Sequence, residues 1–128
     1  MAPVPFDWQE YLRLAQNLST NTDEASKRTS ISRAYYFVFH LASKRAIDNG
    51  YPPGTANHQG LWAHYQKDMS SRDARQLATL GTTMKNVRVL ADYRAVVPSL
   101  QDQMEQQLRD AADFLLKLNA LPPGSPPP

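Results

Sequence analysis

The sequence predicts an all-α domain, a compact bundle of about five helices. Three observations predict it. Apolar residues recur at steps of three and four over long stretches, as in Leu77, Leu80, Met84, Val87 and Ala91, the spacing that gives a helix one buried face. Helix-start signals, an acceptor side chain followed three positions later by a carboxylate, precede several of these stretches. No segment alternates apolar and polar residues over the length of a strand.

The elements follow in order. Asp7 and Glu10 make a capping-box pattern, and Phe6 and Tyr11 sit where a hydrophobic staple would, so a first helix opens there and runs to about Leu18. After the polar break Ser19–Thr22, the pattern repeats at Asn21 and Glu24 and opens a long second helix. Its stripe is Ile31, Tyr35, Val38 and Ala42, and it ends near Asn49-Gly50, with Gly50 a natural residue for the position just past a helix. Tyr51-Pro52-Pro53-Gly54 reads as a turn. A short third helix spans Asn57 to Lys67, with Leu61, Trp62 and Tyr65 on one side. Ser70 and Asp73 form another capping box and open the fourth helix. Inside it Gly81 lowers helix stability by about 1 kcal/mol relative to Ala and marks a kink or a close packing. Pro98 breaks the chain, and Ser99 is expected to cap a fifth helix with Leu100, Met104, Leu108, Ala111, Leu115 and Leu118 on its apolar face. Residues 1–121 are read as the helical bundle and 122–128 as a disordered proline-rich tail.

A chain of 128 residues suits one domain and can bury a core without disulfides or a metal staple. It has no cysteine, which excludes disulfides, cysteine–zinc sites and thiol catalysis. Met1 to Pro5 resembles no secretory signal, and no apolar run approaches the roughly 18 residues of a membrane span. A cytoplasmic protein with no membrane partner is expected. The net charge of +2 is unevenly spread. Lys27 to Arg94 carries eleven Lys/Arg against four Asp/Glu, and the flanks three against eight. A basic middle suits a polyanion such as RNA; spread over several solvated helix faces, the same charges bind nothing in particular.

The phosphate-cradling patterns GxxxxGK[ST] and GxGxxG are absent, as are HExxH and the Gly-x-Ser-x-Gly elbow. The three histidines are scattered, and His58 and His64, six apart, fall on different helix faces, so neither a metal nor a cofactor is expected. Three groups remain. Arg33, Tyr36 and His40 lie within two turns of the second helix and form either part of an aromatic seam with a bonded arginine or an anion-binding pair facing a nucleotide phosphate. Arg88, Asp92 and Tyr93 offer an i,i+4 ion pair beside a phenol, worth only a few tenths of a kcal/mol on a helix surface. His58 opens the third helix and either fixes the turn or moves protons.

Ser30-Ile31-Ser32-Arg33-Ala34-Tyr35-Tyr36-Phe37-Val38-Phe39-His40 resembles the SRAYYAxFH helix of HEPN domains, small helical domains of prokaryotic toxin–antitoxin and defence systems. In the same order, His58-x-Gly60-Leu61 resembles that branch's His-x-Gly segment and Arg88-x-x-Ala91-Asp92-Tyr93 its RxxADY signature, with Ala112-Asp113-Phe114 in the place of the final helix. The resemblance covers roughly residues 8 to 120. It implies an up-and-down four-helix bundle with a short additional helix, dimerising around a cleft. In active members an Arg and a His a few residues apart on a late helix cleave RNA without a metal. Arg88 matches that Arg, but no histidine follows His64, and Asp92 and Tyr93 stand in the neighbourhood of the missing one. Arg33 and His40 satisfy the spacing on the wrong helix.

The reading this supports is a HEPN-like module that binds RNA, a nucleotide or a partner protein, with a degenerate catalytic site. The resemblance implies a homodimer, and a nucleotidyltransferase-type antitoxin or other defence protein as partner, with Tyr93 as its modification target. One alternative is an active metal-independent endoribonuclease toxin, with Arg88 on the phosphate, His58 or Asp92 carrying the proton and Tyr93 positioning the substrate. Another is a structural helical adaptor.

Overall fold

The computed structural model describes residues 3–52, 57–67 and 71–122. Among them are five helices and no strand: α1 (Gln9–Leu18), α2 (Glu24–Asp48), α3 (His58–Lys67), α4 (Arg72–Tyr93) and α5 (Leu100–Ala120). No helix among the described residues is long and apolar enough to cross a membrane.

Local chemistry sets the helix ends. The Asp7 carboxylate accepts the Gln9 N–H at 3.0 Å, and Phe6 packs edge-on against Tyr11, so the staple residues meet. Asp23, not Asn21, starts α2: its carboxylate accepts the Ser26 N–H at 2.9 Å, and hydrogen bonding from Ser26 holds that carboxyl below its ordinary range. The Asn21 amide instead donates to the Ser26 hydroxyl. At the other end Gly50 takes φ 103°, and the Tyr51 and Gly50 N–H groups donate to the Ala46 and Ile47 carbonyls, a complete Schellman motif. Ser71 caps α4 by accepting the Ala74 N–H; Ser70 lies outside the described residues, as do Pro53, Gly54 and the tail from residue 123. Ser99 does not cap α5 through its side chain. It takes the left-handed conformation, φ 52°, and the Gln103 amide donates to the Pro98 carbonyl at 2.7 Å.

α2 is the central element, packed against α1, α4 and α5, while α3 packs on α4. Contacts between α1 and α2 run from Trp8 with His40 to Ala15 with Ser30, so the two helices are antiparallel. Arg28, near the start of α2, donates to the carbonyls of Ala91, Arg94 and Ala95 at the end of α4. Arg45, near the end of α2, donates to those of Leu118, Leu121 and Pro122 at the end of α5. One helix thus supplies the missing donors for the last turns of two others, which leaves α2 antiparallel to α4 and parallel to α5.

The core is built on Tyr35, Phe37, Leu61, Tyr65, Leu77 and Phe114, all fully buried. Each such aliphatic or aromatic side chain contributes roughly 1.5–3 kcal/mol when removed from water. Gln107 is buried among them and is satisfied by donating to the Met84 and Ile31 carbonyls, tying α5 to α4 and α2. Gly81 serves a close packing, not a kink. A Cβ there would lie 2.5–2.6 Å from three ring carbons of Trp62, so only glycine lets the α3 indole lie flush on α4.

Candidate functional site

Tyr36 is the hub on which two of the groups separated in sequence converge. Because α2 and α4 run side by side, the ring of Tyr36 lies 5.1 Å from the Arg33 guanidinium carbon and 5.4 Å from that of Arg88. Its centroid is 6.3 Å from that of His40 and 5.8 Å from that of His58. Arg33, Tyr36 and His40 come from α2, His58 from the first residue of α3, and Arg88 and Asp92 from the last two turns of α4.

Arg88 is 6% exposed, so its pairing with Asp92 is not a surface ion pair. Its Nη1 lies 3.6 Å from the Asp92 carboxylate, which also accepts the Ser32 hydroxyl at 3.2 Å. Its guanidinium carbon lies over Tyr35 at 5.5 Å and Tyr93 at 5.9 Å as well as over Tyr36. Arg88 Nε is buried and has no hydrogen-bond partner among the described residues. A buried donor left unsatisfied costs about 1–3 kcal/mol. Arg33 has no carboxylate within ion-pair distance among the described residues; its guanidinium is held over the faces of Tyr11, at 4.9 Å, and Tyr36. Arg33 and Asp92 form no ion pair across the helices; Asp92 belongs to Arg88.

Both histidines are half-buried, and their surroundings disfavour the protonated form. His40 stacks flat on Trp8, 3.6 Å between centroids and 7° between planes. Burial first, then the charges of Arg33 and His58, push its pKa below the ordinary 6.5. His58 packs on Phe39, and its Nδ1 lies 2.7 Å from the Tyr35 hydroxyl. Burial, then Arg88, then Lys85 lower its pKa. The Tyr35 hydroxyl also accepts the Trp62 indole N–H at 3.2 Å, and burial pushes its own pKa up to about 12. The α3 start is held by Asn57, whose side-chain oxygen accepts the Gly60 N–H at 2.6 Å. A Cβ at position 60 would press within 3.0 Å of that oxygen and 3.3 Å of the Tyr51 hydroxyl, a packing reason for glycine two residues after His58.

The structure brings Arg33, Tyr36, His40, His58, Arg88 and Asp92 into one cluster and leaves Tyr93 at its edge, 74% exposed at the end of α4. Several partners of the site are not visible in the sequence pattern. Trp8 lies ahead of α1, Ser32 sits inside the α2 pattern, and Tyr35 reads as part of the core stripe. Only Tyr35 carries an advance signal, since a buried tyrosine hydroxyl needs a partner. A cavity of about 720 Å³ opens between α3 and α4 against Trp62, Ala63 and Thr82. Its lining includes Gln59, Trp62 and Lys85 but none of the six clustered residues, so the cluster is distinguished by its chemistry and not by its volume. Among the described residues no three His, Asp or Glu side chains are grouped to hold a metal ion.

Chemically, two guanidinium groups, Arg33 and Arg88, share the Tyr36 ring, with one carboxylate, Asp92, paired to Arg88 and two imidazoles beside them. That is an environment for an anion carrying several acceptor oxygens. No family model matches this chain, and neither a curated protein nor a solved structure does.

Proposed function

We propose that the chain is a HEPN-like binding module whose Tyr36 cluster holds a phosphate of RNA or of a nucleotide. The observation that carries this reading is the unmatched positive charge at one platform. Among the described residues Arg33 has no carboxylate partner, and the buried Arg88 has an unpartnered Nε and a single carboxylate, shared with Ser32. A phosphate would satisfy both guanidinium groups in the bidentate fashion arginine favours. The alternating helix directions, with α3 set between α2 and α4, agree with the bundle expected of that family. Under the same reading the protein is a homodimer of a cytoplasmic toxin–antitoxin or defence system, paired with a nucleotidyltransferase-type protein. Light scattering at micromolar concentration tests the dimer, and a strictly monomeric species contradicts it.

Binding is tested by titrating a fluorescein-labelled RNA oligonucleotide and unlabelled AMP against wild type, Arg33→Ala and Arg88→Ala. Each truncation removes charge-assisted contacts worth about 1.5–3 kcal/mol and weakens binding roughly tenfold or more. Equal affinity in all three proteins, with folding intact, removes the cluster as the binding site.

A second reading, a metal-independent endoribonuclease, is favoured by the closeness of His58 to Arg88. Incubating RNA with wild type and Arg88→Ala in EDTA decides it: cleavage by wild type alone makes the protein a nuclease, and no cleavage by either leaves the binding module.

A further inference from the structure

The hydrogen bond between Tyr35 and His58 has one self-consistent direction. The Tyr35 hydroxyl is fully buried and has two polar neighbours, His58 Nδ1 at 2.7 Å and the Trp62 indole nitrogen at 3.2 Å. An indole N–H only donates, so Trp62 occupies a lone pair of the hydroxyl oxygen. The single Tyr35 proton then has one acceptor among the described residues, His58 Nδ1. Were Nδ1 itself protonated, the hydroxyl would accept twice and its own proton would be buried without a partner.

We propose that Tyr35, braced by Trp62, is a positioning residue that holds His58 as its neutral Nε2–H tautomer, so that His58 presents a hydrogen-bond donor, not a base, to a phosphoryl oxygen bound in the Tyr36 cluster. The ligand in this statement rests on the binding reading above; the tautomer does not. Nε2 has no partner among the described residues, and His58 is only half-buried. The groups facing His58 act in the same direction. Arg88 and Lys85 from α4 oppose a second proton, and Tyr35, Tyr36, Phe39 and His40 from α2 surround the ring without a carboxylate. His58 is also the first residue of α3, where the helix dipole disfavours an imidazolium and favours an anion nearby. The consequence separates the two functional readings: the nitrogen that would serve as base is occupied by Tyr35.

The test uses the full chain labelled with ¹⁵N-histidine and long-range proton–nitrogen correlation spectra near neutral pH. The proposal expects a His58 pattern with Nε2 protonated and Nδ1 an acceptor in wild type. Tyr35→Phe, if folded by circular dichroism, releases the ring to a mixture of tautomers. A protonated Nδ1 in wild type, alone or in an imidazolium, overturns the proposal whatever the variant does. A second arm measures affinity for a ribodinucleoside monophosphate, whose diester keeps one charge from about pH 6 to about pH 8.5. Affinity is expected to stay within about twofold across that range, to fall about tenfold in His58→Ala, and to recover in part in His58→Gln, which keeps a donor. A rise of about tenfold on acidification would show an imidazolium binding the phosphate and also overturn it. If wild type binds no dinucleotide, the binding reading fails while the nitrogen spectrum still decides the tautomer.

Discussion

Replacing Gly81 by Ala sets two effects of opposite sign against each other, and the structure says which wins. In an exposed helix the change stabilises by about 1 kcal/mol. Here the new Cβ would lie 2.5–2.6 Å from the Cη2, Cζ2 and Cζ3 atoms of Trp62. Carbon atoms rest at roughly 3.5–4.0 Å, so about 1 Å of movement is needed. The obstacle is a rigid ring, not the end of a flexible chain. Trp62 is buried, packs edge-on to Phe114 with centroids 5.8 Å apart, and donates its indole N–H to Tyr35. Overpacking of this kind costs about 1–3 kcal/mol, and a disturbed Trp62–Tyr35 bond about 1 more. The net expectation is a loss of about 1–3 kcal/mol, at roughly 4 °C in Tm for each kcal/mol in a domain of this size. Urea unfolding followed by tryptophan fluorescence measures it. Truncating the ring in a Gly81→Ala/Trp62→Leu double variant should reveal a coupling of about 1 kcal/mol or more. A Gly81→Ala protein more stable than wild type by about 1 kcal/mol would refute the packing argument.

Other consequences concern the groups that hold the bundle. His40 and His58 bind protons less readily folded than unfolded. Their contribution is therefore complete above the ordinary value of 6.5 and is lost as pH falls below it toward their lowered folded values. Urea midpoints should drop from about pH 7.5 to about pH 5, and less steeply in His40→Gln/His58→Gln. Gln107→Ala removes the donor shared by the Met84 and Ile31 carbonyls and leaves a void; a loss of about 2–4 kcal/mol is expected in the same unfolding assay. Arg28→Met should cost about 1–2 kcal/mol and, by hydrogen exchange, loosen the last turn of α4 more than the turns around Gly81.

The helices were legible because their apolar stripes are long, and burial of Leu77, Met84, Met104, Ala111 and Leu118 follows the spacing. The caps were less so. Acceptor residues cluster ahead of α2 and α4, and sequence alone does not say whether Asn21 or Asp23, Ser70 or Ser71, takes the β-region backbone a cap requires. Ser99 fails differently: after Pro98 the chain turns through a left-handed residue, which leaves its hydroxyl without a capping bond. In the site, Arg33, Tyr36 and His40 share a face by simple helical geometry, but their meeting with Arg88 and His58 depends on how three helices pack. The depth of Arg88 was not legible either, since Arg88 and Asp92 have the spacing of an ordinary surface pair. Tyr93, adjacent to Asp92 in sequence, lies a ring's width from Arg88 and is mostly solvated because α4 ends there.

The most direct test of the phosphate site is to watch the arginines themselves. Proton–nitrogen spectra of the guanidinium Nε groups should be recorded while a ribodinucleoside monophosphate is added. The Tyr36 cluster predicts that the Nε signals of Arg33 and Arg88 shift together and saturate at one affinity, while Arg28 and Arg45, committed to helix ends, stay still. Shifts confined to other arginines or to backbone amides lining the α3–α4 cavity, with Arg33 and Arg88 unmoved, would contradict it.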